Sequence, residues 1–167
     1  MSASSTSKAP RIVAGVDGSP SSRAGLRWAV REAALTGGTV DAVMALHFPP
    51  TTVVTGVGAG YGEPGTGGVG QSPAEVDENV TADQARHVLD AVINEEVKPD
   101  DKHLVRARVF NAHPAEALLK AADDADMLVV GNRGRGGFAE VLLGSVGQYL
   151  AHHANCPVLI FRGAPVT

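Results

Sequence analysis

A single cysteine, Cys156, stands in 167 residues. No disulfide framework is available, which fits a reducing interior. Aromatic residues are scarce, at 4% of a chain that is 44% hydrophobic. Val, Ala and Leu must therefore fill the core, and small side chains of that kind suit a sheet covered by helices. No apolar run approaches the length of a membrane span. No run of Lys or Arg is present and the formal net charge is −4, so binding to nucleic acid through phosphate neutralisation is not expected. The first ten residues, "MSASSTSKAP", are small and polar and read as a disordered tail, not a signal peptide. The expectation is a soluble, cytoplasmic protein with one domain over residues 10–163 and short tails at 1–9 and 164–167.

Turn residues then divide the chain. "RIVAGV" (Arg11–Val16) is a short β-type run broken by "DGSP". Ser19 suits an N-cap and Pro20 the first helical turn. The apolar stripe Leu26, Ala29, Val30, Ala33, Ala34 follows, and Gly37 and Gly38 stop the helix. Thr39–Phe48 is a second strand. From Thr51 to Gly70 the chain is glycine-rich; this stretch builds no core and is expected to be a mobile loop. "SPAE" (Ser72–Glu75) resembles a capping box, ahead of a helix with Ala85, Val88, Leu89 and Val92 on one face. Leu104–Phe110 alternates Val105, Ala107, Val109 with Arg106 and Arg108, as suits a strand near a sheet edge. Pro114 opens a third helix with Ala115, Leu118, Leu119 and Ala122 inward. Asp126–Gly131 is an apolar strand, followed by a helix with Val146, Tyr149, Leu150 and His153 on one face and a last strand, Pro157–Arg162. Strands alternating with helices predict an α/β fold: an open, mostly parallel five-stranded sheet with helices on both faces.

The stretch "GNRGRGGFAEVLLGSVGQ" (Gly131–Gln148) groups glycines at both ends of an apolar middle. In such a sheet, ligands sit beyond the carboxyl ends of the strands, where the winding direction reverses. Gly131, Gly134, Gly136 and Gly137 follow the fourth strand, and Gly144 with Ser145 opens the fourth helix. Backbone N–H groups at a helix start attract anions, and glycines let phosphate oxygens approach the main chain. Arg133 and Arg135 add charge. The same glycines fit equally well a pair of tight turns with helix capping. The P-loop pattern Gly-x4-Gly-Lys-Ser/Thr is absent, and so is the dinucleotide fingerprint after the first strand.

The spacing Gly131-x2-Gly134-x9-Gly144-Ser145 resembles the ATP-binding signature of the universal stress protein family. "RIVAGVDGSPSSRAGLRWAV" and the stretches from "AHPAEALLKAADDADMLVVGNRGRGG" to "LLGSVGQYLAHHANCPVLIFR" are similar to that family's first strand and helix and to its third helix through fifth strand. The resemblance implies a Rossmann-like sheet of order 3-2-1-4-5 that binds ATP across its first and fourth strands, accompanied by Mg or Mn. Gly131, Asn132, Arg133, Gly134, Arg135, Gly136 and Gly137 would cradle phosphates and ribose. Gly144, Ser145 and Val146 would hold phosphates from the helix side. Asp17 matches an acidic residue ending the first strand, and Gly15 and Phe48 match backbone positions at adenine. Asn132 departs from the more common Ser.

Asp17 also suits a helix-capping turn. His153 is expected to be packed and His152 exposed, with His113 bordering the third helix. Cys156 reads as a structural thiol, and Asp123, Asp124 and Asp126 as a solvated helix end. No catalytic arrangement is evident. The run "PVLIF" in the fifth strand is apolar on both faces and, placed at the edge by the resemblance, predicts a homodimer. The expected role is that of an ATP-binding regulatory protein of the stress response acting through conformation and an unknown protein partner. A nucleotide-free partner-binding module and a slow ATP hydrolase are the alternatives.

Overall fold

A computed structural model of the chain describes residues 8–46, 78–132 and 143–162. Five parallel strands form one sheet in the order β3-β2-β1-β4-β5. They are β1 (Arg11–Gly15), β2 (Thr39–Leu46), β3 (Val105–Asn111), β4 (Met127–Gly131) and β5 (Val158–Phe161). Between them run α1 (Pro20–Thr36), α2 (Glu78–Glu96), α3 (Pro114–Ala121) and α4 (Ser145–His153), with a 3-10 turn at Pro99–Leu104. The fold expectation is met in strand number, direction and order. The Gly-rich loop 51–70, the Ser72–Glu75 cap and Phe48 lie outside the described residues.

The side-chain alternation of the strands sorts the core into two layers. Ile12, Ala14, Val40, Ala42, Met44 and Val129 face α1 and α2, meeting Leu26, Ala29, Val30, Ala33, Ala85, Leu89 and Val92. Val13, Val43, Leu128 and Val130 face α3 and α4, meeting Leu118, Ala121, Ala122 and Leu150. Small residues let the helices lie close to the sheet. A Cβ on Gly25 would stand 3.2 Å from Val129 Cγ1, and one on Gly15 would stand 3.2 Å from both Leu118 methyls and from Val130 Cγ1.

Local chemistry sets the helix ends. Ser19 caps α1, its side chain accepting from the Ser22 N–H, and Gly37 closes it with φ 69°, a left-handed conformation open to glycine. Pro114 starts α3 behind His113, whose Nδ1 accepts from the Ala115 N–H at 3.3 Å. Four side chains depart from expectation: Ala34, Val88, Tyr149 and His153 are all exposed. Val88 is 42% exposed, because α2 meets the sheet through Ala85, Leu89, Val92 and Ile93 and leaves Val88 on its flank. His153 is exposed, not packed: it stacks on Tyr149 with ring centroids 3.9 Å apart on the outer side of α4.

One buried polar feature had no signal in the sequence reading. The Asp41 side chain, only 3% exposed, sits beneath the α3 layer. Its Oδ2 accepts from Arg11 Nε (3.1 Å) and Nη2 (3.0 Å) and from Arg108 Nη1 (3.2 Å). Arg11 Nη2 also donates to the Ala121 carbonyl at 2.8 Å. This ties β1, β2, β3 and α3 together. Asp126, expected as part of a solvated end, accepts from the Arg11 N–H at 2.8 Å. On the opposite face, Arg23 and Arg27 hold Glu96. Burial pushes the Glu96 carboxyl up, but the hydrogen bonds from both arginines outweigh it and keep the group below its ordinary range.

Candidate functional site

The winding reverses between β1 and β4. From β1 the chain proceeds outward to β2 and β3, then returns to β4 on the other side of β1. A crevice at the carboxyl ends of these two strands is where a parallel sheet of this kind accepts ligands. Three segments of the described structure meet there.

The first is the turn after β1. The Val16 N–H donates to the Val43 carbonyl at 2.8 Å, extending the ladder one residue past the strand. Asp17 follows, half-buried. Its Oδ1 accepts from the Ser19 N–H at 2.9 Å, and its own N–H donates to Ser22 Oγ at 3.3 Å. Gly18 takes φ 82°, so the turn requires a residue tolerant of the left-handed region. Asp17 therefore performs the turn-forming role open to it, and that bond fixes its carboxylate at the strand's end.

The second segment is the end of β4. Gly131 packs against the first turn of α1: a Cβ there would lie 2.5 Å from Ser21 Oγ, 2.9 Å from the Ser22 backbone nitrogen and 3.1 Å from Ser21 Cβ. The missing side chain at this position makes room for α1. The glycine of Gly131 is thus explained by packing inside the protein. Ser21 and Ser22 are 4% and 3% exposed, and the sequence reading passed over both. The run "SPSS" was the available signal, since two small residues inside a helix start permit a close strand.

The third segment is the start of α4. The Asn132 N–H donates to the Phe161 carbonyl at 2.6 Å, and the Asn132 carbonyl accepts from the Gly144 N–H at 2.8 Å. The chain therefore leaves β4 at Asn132 and is fastened back to the same residue at Gly144. Asn132 and Gly144, twelve residues apart in sequence, share this one hydrogen bond. Gly144 is the N-cap of α4, with φ −67° and ψ 161° and no side-chain cap bond. The first helical bond runs from the Gln148 N–H to the Gly144 carbonyl. The amides of Ser145, Val146 and Gly147 thus have no partner within the helix. Ser145 is exposed and Val146 half-buried.

The structure brings Gly131, Asn132, Gly144, Ser145 and Val146 together. It sets Gly15 and Asp17 on the neighbouring strand end, since Ala14 is in register with Val129. Arg133, Gly134, Arg135, Gly136 and Gly137 lie outside the described residues, as does Phe48. No group of three His, Cys, Asp or Glu side chains suited to a metal occurs among the described residues. Cys156 is half-buried. Burial, aided by Asp126, pushes its thiol above the ordinary range, away from the reactive thiolate form.

Comparison with known proteins agrees with this architecture. The model of the universal stress protein family matches residues 9–162. A universal stress protein of Mycolicibacterium smegmatis is 34% identical over 155 residues, which cover 91% of this chain and 48% of that protein. The chain thus spans about half the length of that relative. Among solved structures, the universal stress protein UspA from Lactobacillus plantarum superposes with a TM-score of 0.66 at 20% identity, covering 93% of this chain and 99% of its own. A universal stress protein crystallised in complex with cAMP gives 0.58 at 25% identity, covering 95% of this chain and all of its own, 100%. With the family model spanning nearly the whole chain and the sheet order as observed, the chain belongs to the universal stress protein family.

Proposed function

We propose that the chain binds an adenine nucleotide, ATP in the first instance, in the crevice over the carboxyl ends of β1 and β4, and that it works as a regulatory protein of the stress response. The observation that carries this reading is the bond between the Asn132 carbonyl and the Gly144 N–H at 2.8 Å. It holds the start of α4 at the switch point of the sheet, where amides without a partner inside the helix and the helix dipole favour phosphate. The spacing of Gly131, Gly134, Gly144 and Ser145 supports the reading, as does the relative crystallised with cAMP. In this reading the amides of Ser145, Val146 and Gly147 and the Ser145 hydroxyl hold phosphate oxygens. Asp17 stands at the ribose side, and a divalent cation such as Mg or Mn arrives with the triphosphate.

The chain carries no Walker lysine. Nucleotide-dependent conformation and contacts with a protein partner are therefore proposed as the output, ahead of turnover. Protein purified without added nucleotide, denatured by heat and analysed by ion-exchange chromatography, is expected to release adenine nucleotide in near-stoichiometric amount. Release of none, together with no uptake on adding ATP, would favour the nucleotide-free module.

We propose further that the functional unit is a homodimer through β5. That strand lies at the edge of the sheet, its four residues are uncharged and half-buried, and Trp28 rests beside it with its ring 6.0 Å from Phe161. Sedimentation equilibrium at micromolar concentration is expected to give twice the chain mass. Ile160→Asp is expected to give the monomer and to alter the emission of Trp28, the single tryptophan. A wild-type protein that sediments as a monomer throughout that range contradicts the proposal.

A further inference from the structure

The sheet has two outer strands, and their surfaces differ in charge. β5 carries no charge along Val158–Phe161. β3, at the other edge, sets Arg106, Arg108 and Phe110 on one face and Val105, Ala107 and Val109 on the other. The apolar three pack against the α2 layer yet stay only half-buried.

The arginine face is in electrostatic excess. Asp41 is engaged by Arg11 and Arg108, and these bonds already occupy Oδ2. Arg106 Nη1 lies 4.0 Å from Asp41 Oδ1, and its side chain is 78% exposed. Arg108 is 36% exposed and its guanidinium stands 4.9 Å from the centre of the Phe110 ring. Among the described residues, one carboxylate therefore faces three guanidiniums, in a chain whose net charge is −4. The buried acid needs Arg11 and Arg108 for its own neutralisation. Arg106, at 4.0 Å from Oδ1 and 78% exposed, is held only weakly by it.

Edge charges discourage pairing with a like strand. An antiparallel twofold pairing about Ala107 would set Arg106 of one copy against Arg108 of the other on the same face, and like charges directly opposed are destabilising. The same arrangement favours a strand of opposite sign. The geometry points to β3 as a docking edge for an extended acidic segment of a partner protein. Acidic side chains at every second position of that segment meet Arg106 and Arg108. Apolar residues between them continue the face of Val105, Ala107 and Val109. Main-chain hydrogen bonds along this edge, which no described strand pairs, supply affinity, and the alternation supplies selectivity. Strands β2 and β1 separate this edge from β4, so occupancy here leaves the crevice at β1 and β4 accessible, and the two sites can be tested independently.

The test uses the full chain and a fluorescein-labelled peptide, Gly-Glu-Val-Glu-Val-Glu-Gly, followed by anisotropy. Saturable binding that weakens as salt rises is expected. The counterpart with Gln in place of Glu is expected to bind at least about fivefold more weakly. Arg106→Glu is expected to weaken the Glu peptide by a similar factor with an unchanged melting curve, because this side chain is exposed, and Arg106→Lys is expected to retain most of the binding. Four results would overturn the inference: no saturable binding, equal binding of the Gln peptide, undiminished binding to Arg106→Glu, or competition by a single-stranded oligonucleotide of equal charge as effective as that by unlabelled Glu peptide.

Discussion

Gly131→Ala is expected to lower stability by about 2–3 kcal/mol, the upper part of the range for overpacking a well-filled site. The added methyl would lie 2.5 Å from Ser21 Oγ and 2.9 Å from the Ser22 backbone nitrogen. A side-chain hydroxyl can rotate away, but the backbone nitrogen of a capped helix cannot move without shifting the first turn of α1. A domain of this size loses roughly 2–4 °C of melting temperature per kcal/mol, so a drop of about 5–10 °C is expected in calorimetry. The clash also predicts a coupling. In a Ser21→Gly background the contacts to Ser21 Oγ and Cβ are gone, and Gly131→Ala is expected to cost less there than in the wild type. Equal costs in both backgrounds would place the strain elsewhere.

Asp41→Ala is expected to cost about 2–3 kcal/mol. Breaking a buried ion pair by removing one partner commonly costs more than that, but Arg108 is 36% exposed and can turn into water. Arg11, 23% exposed, keeps its bond to the Ala121 carbonyl. A thermal-denaturation cycle with Arg11→Met checks the assignment. The double variant is expected to be less destabilised than the sum of the two single variants, because an unpaired guanidinium no longer remains. Additive losses would show that Asp41 and Arg11 do not support one another.

These two positions also show what a sequence can and cannot disclose. Helix ends were legible because their causes are local. Ser19 and Pro20 start α1, Gly37 ends it, and Pro114 starts α3, each through chemistry within four residues. The strands were legible from apolar runs bounded by turn residues, and the sheet order from the family resemblance. The packing role of Gly131 and the ion pairs of Asp41 had no signal because their partners are distant: Ser21 is 110 residues from Gly131, and Arg108 is 67 residues from Asp41. A glycine that makes room for a helix and one that makes room for a phosphate look alike in sequence. Ala34, Val88, Tyr149 and His153 were misplaced for a different reason. A helix stripe defines a face only to within about a quarter turn, and the sheet decides which flank it covers.

The candidate site was partly legible for the same reason. The spacing of Gly131, Gly134, Gly144 and Ser145 raised the candidate, but no periodicity reveals that the Gly144 N–H returns to the Asn132 carbonyl. That closure fastens the start of α4 to the end of β4 at the switch point. Asp17 bears out its turn-forming reading. Its Oδ1 forms the turn with the Ser19 N–H, and this bond fixes a carboxylate at the end of β1.

The central claim is that α4's start, fastened to the end of β4, receives the phosphates of an adenine nucleotide. Differential scanning calorimetry of the wild type and of Gly144→Ala, each with ATP, with GTP and with no nucleotide, tests it most directly. Alanine suits the backbone at position 144, where φ is −67°, so the variant is expected to fold. Wild type in ATP at about 100 times the dissociation constant is expected to gain about 2.7 kcal/mol, a rise of roughly 5–10 °C, with a smaller rise in GTP and little or none in Gly144→Ala. No rise with ATP, or a rise of equal size in Gly144→Ala, would contradict the claim.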